Sequence, residues 1–178
     1  MQLLALAALA PLLAPHASAK TIPARTVFAA EELVVLSQSA QRDCGFANPQ
    51  QLIGLADDVR KKALRCLVSL TVKESGSLLP KEMERGATII SATESEGFIV
   101  FAMQFEPEHP RASVPENATS DYDRLLSNRT CQDKWLGGLI DAGIEGGTQG
   151  GTMIVYKIQN KKRENLAIIA VGQCFNQR

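Results

Sequence analysis

The sequence has no surplus of either charge, very little histidine and no apolar run long enough to span a bilayer. Its 19 Lys and Arg are matched by 19 Asp and Glu, with neither sign clustered. Binding driven by phosphate neutralisation needs a cationic surplus, so the balance argues against nucleic acid as a partner. The 2 histidines among 178 residues leave general-base catalysis almost nothing to work with. No Cys-x-x-Cys spacing is present, which removes the usual zinc and thioredoxin-like readings. Nothing repeats at a fixed period. What is present is ordinary globular usage, 45% hydrophobic and 21% charged. Disorder, a collagen-like chain and a coiled-coil rod are therefore poor explanations.

The first residues stand apart from the rest. Leu3 to Leu13 is apolar apart from Pro11, and it leads to Ala17-Ser18-Ala19, a small-residue cleavage signal before Lys20. The run falls short of the roughly twenty residues a membrane helix needs. It reads as a secretory signal peptide over 1–19, although it has no Lys or Arg ahead of Leu13. Residues 20–178 then form a single domain, large enough to bury about 70% of its unfolded surface in one core. The expected location is periplasmic or secreted, with no transmembrane segment in the mature chain.

The 4 cysteines, Cys44, Cys66, Cys131 and Cys174, fit an oxidising compartment. An even number in an exported chain reads as two disulfides, for which three connectivities remain open. If the pairing is sequential, each bridge contributes about 3 to 4 kcal/mol by restricting the unfolded chain.

Periodicity divides the domain into a mainly helical part, 20–76, and a part over 78–175 with the order ββααββ. Ala29 to Ala40 is a short helix, with Leu33, Val34 and Leu36 as its apolar stripe. Asn48-Pro49 is a good helix start. From there Leu52, Leu55, Ala56, Val59, Ala63 and Leu67 recur on one face, opposite Asp57, Arg60, Lys61 and Arg65, as far as about Lys73. Ala87–Thr93 and Phe98–Phe105 have strand chemistry and flank a turn at Glu94 to Gly97, which makes a hairpin. Pro107, Pro110 and Pro115 mark a loop. A helix follows over about Asp121 to Asn128. Thr130 with Asp133 suggests a capping box for another that ends at Gly143. Thr152–Gln159 and Leu166–Gln173 form a second hairpin with its tip at Asn160 to Asn165. The expected fold is α+β, an antiparallel sheet from two β-hairpins with helices packed on one face and two disulfides.

Leu78-Leu79-Pro80 before Gly86-Ala87-Thr88, the helix opened by Cys131 and closed by Gly143, and Tyr156 in a hairpin closed by Cys174 together resemble a family of small exported bacterial domains. The resemblance covers about 78–175. It implies the pairing of Cys131 with Cys174, and with it Cys44 with Cys66. It implies no catalytic residues, and the glycine-rich connector Gly143 to Gly151 departs from its pattern.

Catalytic, metal and cofactor sites are hard to assemble from these residues, and none is expected. His109, between Glu108 and Pro110, would have to serve any Ser/His/Asp site from a loop without rigid support. Gly146, Gly147, Gly150 and Gly151 lack the Lys-Ser/Thr of a phosphate loop and read as a hinge or a contact loop. The pairs Glu94/Glu96, Glu106/Glu108 and Asp121/Asp123 match neither a glycosidase dyad nor a calcium loop on spacing alone. Lys161, Lys162 and Arg163 at a hairpin tip are either a solvated turn or a contact for an anionic surface. Asn117-Ala118-Thr119 and Asn128-Arg129-Thr130 match the glycosylation sequon.

The expected function is a disulfide-stabilised binding module that recognises a protein or envelope component. The alternatives are a small carboxylate-based hydrolase of cell-wall or host polymer, or an inhibitor or immunity protein of a secreted enzyme.

Overall fold

The computed structural model describes residues 26–107, 119–144 and 152–174. The leader over 1–19, His109, Glu108, the sequon at Asn117 and the glycines Gly146, Gly147, Gly150 and Gly151 lie outside the described residues.

The first helix, α1, is Ala30–Cys44. Glu31 and Glu32 complement the positive end of its dipole, and Glu32 Oε2 accepts the Ala29 N–H at 2.6 Å. The helix expected from Asn48-Pro49 starts later. Pro49–Leu52 is only a 3₁₀ turn, whose entering N–H groups on Ala47 and Asn48 are taken by Gln51 Oε1 at 2.6 and 3.2 Å. Gly54 then turns the chain at φ 81, a conformation that glycine adopts without steric cost and that no helix can contain. The second helix, α2, is Asp57–Ser77. Leu67 to Val72 is helical in it, despite its strand-like alternation. Arg60, expected on the polar face, is buried because Asp57 pairs with its guanidinium and the Leu55 carbonyl accepts from Nη1 at 3.3 Å. Val59, expected on the apolar face, is exposed.

The strands are β1, Lys81–Glu84; β2, Ala87–Ser95; β3, Phe98–Phe105; β4, Ile154–Gln159; and β5, Asn165–Val171. They form one sheet in the order β1-β2-β3-β4-β5. The β2–β3 hairpin turns at Glu96 and Gly97, with φ 53 and 83, the two positive values of a type I′ turn. The purely antiparallel expectation fails at the centre, where β3 and β4 run parallel with Phe101 beside Tyr156. The reason lies in the connection. The segment between the hairpins, which holds two helices, crosses from the end of β3 back to the end where β3 began, so β4 starts alongside Ile99 and runs parallel to β3. The fifth strand, β1, was not expected, because three of its four residues are charged and only Met83 is buried.

Between β3 and β4 lie α3, Thr119–Gln132, and α4, Lys134–Ile144. Thr130 does not begin the second of these. It is buried inside α3 with its hydroxyl on the Leu126 carbonyl at 2.8 Å. Asp133 caps α4 instead. Its Oδ1 accepts the N–H groups of Trp135 and Leu136 at 3.0 and 3.1 Å.

Alternate strand residues, among them Ile89, Phe101, Met103, Tyr156 and Ile169, join Leu36, Leu67, Leu126 and Leu139 in one core cluster. Along the chain, α2 lies against β2 and β3, and α3 beside β5. Cys44 pairs with Cys66, closing a separation of 22 residues, and Cys131 with Cys174, closing 43. The first bridge joins α1 to α2; the second joins α3 to the segment after β5.

Candidate functional site

Most polar side chains in the interior are occupied by structure. Asp133 Oδ2 also accepts the Phe28 N–H at 2.9 Å, so one carboxylate holds the start of α4 and the entry to α1. Burial pushes its pKa above the ordinary Asp value, against the pull of the three amide donors. Thr130 and Tyr156 share a hydrogen bond of 2.7 Å, and burial raises the Tyr156 phenol further above its ordinary value. Trp135 Nε1 donates to Thr71 Oγ1 at 2.8 Å, while Thr71 donates to the Leu67 carbonyl. Arg129 Nη2 donates to Glu84 Oε2 at 2.9 Å, and its Nε and Nη1 are buried without a hydrogen-bond partner. A buried tyrosine that resists ionisation and a carboxylate saturated by amides are poor nucleophiles and poor bases.

The residues singled out in the sequence do not converge on one site. Among the described residues no group of three metal-ligating side chains occurs, and both cysteine pairs are oxidised. Glu94 accepts from Ser69 Oγ at 2.5 Å, and Glu106 pairs with Lys161 of the β4–β5 turn. The sequon at Asn128 lies inside α3 with Thr130 buried, so it is not the surface loop a glycan acceptor requires.

Among the described residues, a groove of about 170 Å³ lies open to solvent between the start of α1 and the end of α2. Phe28 and Leu36 are buried in its floor, Val35 and Leu78 form its walls, and Glu31, Glu32, Glu74 and Ser77 complete the lining. The helices are antiparallel, and the Cys44–Cys66 bridge fastens them at the end away from the groove. Lys81, at the start of β1, pairs with Glu32 and ties the groove to the sheet. Val34, Val35 and Leu78 are 56%, 54% and 37% exposed. Exposed apolar side chains beside a concavity mark a contact surface more often than a reaction centre. The carboxylates do approach the groove from both helices. Glu32, however, is held by Lys81 and the Ala29 amide, and the apolar walls give a sugar's hydroxyls little to bond.

Sequence reasoning missed this site, although a signal for it was present. Leu33-Val34-Val35-Leu36 is wider than one helical stripe, so part of it must face outward. Val34, expected on the buried stripe, is exposed instead, and Val35 beside it lines the groove.

No family model and no curated protein matches the sequence. Among solved structures, the pilotin EpsS of the Vibrio vulnificus type 2 secretion system superimposes with a TM-score of 0.54 at 17% identity, over 68% of this chain and 100% of its own. The type II secretion system pilotin AspS of Vibrio cholerae gives 0.49 at 16%, over 63% of this chain and 91% of its own. The likeness is one of fold. It extends over the whole of the Vibrio vulnificus pilotin at an identity too low to carry residue roles across.

Proposed function

We propose that this protein is an exported adaptor that recognises an envelope protein, and that it serves a secretion machine as the Vibrio pilotins do. The α1–α2 groove carries this reading. It offers an apolar floor, exposed apolar walls and three carboxylates at its margin. An apolar anchor flanked by Lys or Arg is the complementary partner segment, buried against Phe28, Val35, Leu36 and Leu78 with its cations near Glu31 and Glu74. Two disulfides suit an oxidising compartment, and no helix among the described residues is long and apolar enough to cross a membrane. The resemblance to small exported bacterial domains points the same way.

Deleting the gene in its own host tests the reading. Retention inside the envelope of proteins normally found in the medium, reversed by the wild-type gene but not by a Leu78→Asp copy, is the expected result. Unchanged secretion removes the secretion role. Restoration by the Leu78→Asp copy removes the groove from it.

A further inference from the structure

The two edges of the sheet are built differently. The outer edge of β1 has four residues, three of them charged, and a register shift between Glu82 and Glu84. Short length, charge and a bulge are the devices that keep a sheet edge from pairing with another chain. The β5 edge has none of them except a shift near its first residues. Its seven residues, Asn165–Val171, contain neither charge nor proline, and no strand pairs with their outer side among the described residues. Leu166 and Ile168 are 41% and 64% exposed, and Ala170 is exposed beyond them.

We propose that the β5 edge is a docking site for an extended segment of a partner protein, apolar at alternate positions and carrying carboxylates at the end beside the β4–β5 turn. Open backbone groups on an edge strand select an extended chain, and Leu166, Ile168 and Ala170 select alternating apolar side chains. Charge selects the acidic end. Lys162 and Arg163 are exposed at the turn and make no ion pair among the described residues, whereas Lys161 pairs with Glu106. Lys157 adds a further exposed cation across the sheet from Ile168. The acid of the turn, Glu164, accepts a hydrogen bond from Asn160 Nδ2 at 2.6 Å. Asn160 also holds the turn's shape, since its Oδ1 accepts the N–H groups of Lys162 and Glu164 at 2.9 and 3.0 Å. Both cations are therefore presented from a fixed loop at one end of a bare edge. This surface is separate from the groove, and either can fail without the other.

The test uses the full chain and synthetic eight-residue peptides of alternating Val and Thr, ending in Asp-Asp or Lys-Lys at either terminus. Fluorescence anisotropy and amide hydrogen exchange are read together. At least tenfold tighter binding of an Asp-ended peptide, with slowed exchange confined to β5, is expected. Lys162→Glu with Arg163→Glu, in an exposed turn whose folding is checked by melting, should reverse the preference. Equal affinity of the two peptide types, unchanged β5 exchange, or undiminished binding of a peptide N-methylated at alternate amides overturns the proposal. So does sedimentation showing that β5 is already covered by a second copy of the chain.

Discussion

The α3–α4 junction and the α1–α2 groove treat polar and apolar side chains in opposite ways. At the junction Asp133, Thr130, Tyr156 and Trp135 have their polar atoms buried and hydrogen-bonded to other side chains or to backbone. At the groove Val35 and Leu78 face solvent while Glu31, Glu32 and Glu74 share its lining. The buried polar residues of the junction are thus structural. The residues that look like plain core are the ones left available to a partner.

That contrast can be broken experimentally at either place. The largest effects are expected from the disulfides. Replacing Cys131 and Cys174 by Ser should cost about 4 kcal/mol, and Cys44 with Cys66 about 3 kcal/mol, from the loops they close. Urea titration under oxidising conditions measures both. Loss of Cys44–Cys66 should also loosen partner binding, because that bridge fastens the groove helices, whereas loss of Cys131–Cys174 should not.

Asp133→Ala comes next. It leaves the Phe28, Trp135 and Leu136 amides without their acceptor and should cost about 2 to 3 kcal/mol, read as a lowered melting temperature. A loss below about 0.5 kcal/mol would show that the junction is not held as described.

A smaller effect concerns pH. A carboxyl whose folded pKa lies above its unfolded one favours folding most below the unfolded value. That contribution is lost as pH rises through the folded value. Wild-type stability should therefore fall, relative to Asp133→Asn, between about pH 4 and the raised Asp133 value, and the difference should be flat above it. The urea midpoint of both proteins from pH 3 to 8 checks the sign. The smallest stability change belongs to the groove, where Val35→Asp and Leu78→Asp should each stay within about 0.5 kcal/mol of wild type while partner binding is lost.

The parts of the fold legible in the sequence were those set by local chemistry. The β2–β3 hairpin was readable because Glu96-Gly97 permits the two positive φ values its turn needs. The β4–β5 hairpin and the order ββααββ followed from the same alternation. Non-local features were not readable. The parallel β3–β4 pairing depends on how the intervening segment returns the chain, and β1 joins the sheet with Met83 as its one buried residue and with ion pairs to Glu32 and Arg129 from distant elements. Asp133 was readable as part of a capping box but three residues inside the helix rather than as its cap, since a Thr-x-x-Asp pattern does not say which of its members leaves the preceding helix. Of the two proposed surfaces, the cations at the β4–β5 turn were visible as a charge run. The groove was hidden, because surplus apolar residues in a helix look like core until a neighbouring helix shows which of them it covers.

The most direct measurement is photo-cross-linking in living cells from a benzoylphenylalanine placed at Val35, compared with the same probe in a Leu78→Asp background. If the groove is the contact surface, an adduct with one envelope protein forms and is reduced at least tenfold by Leu78→Asp while the melting temperature stays within about 2 °C. An adduct of equal yield in both backgrounds, or none from Val35, would contradict it.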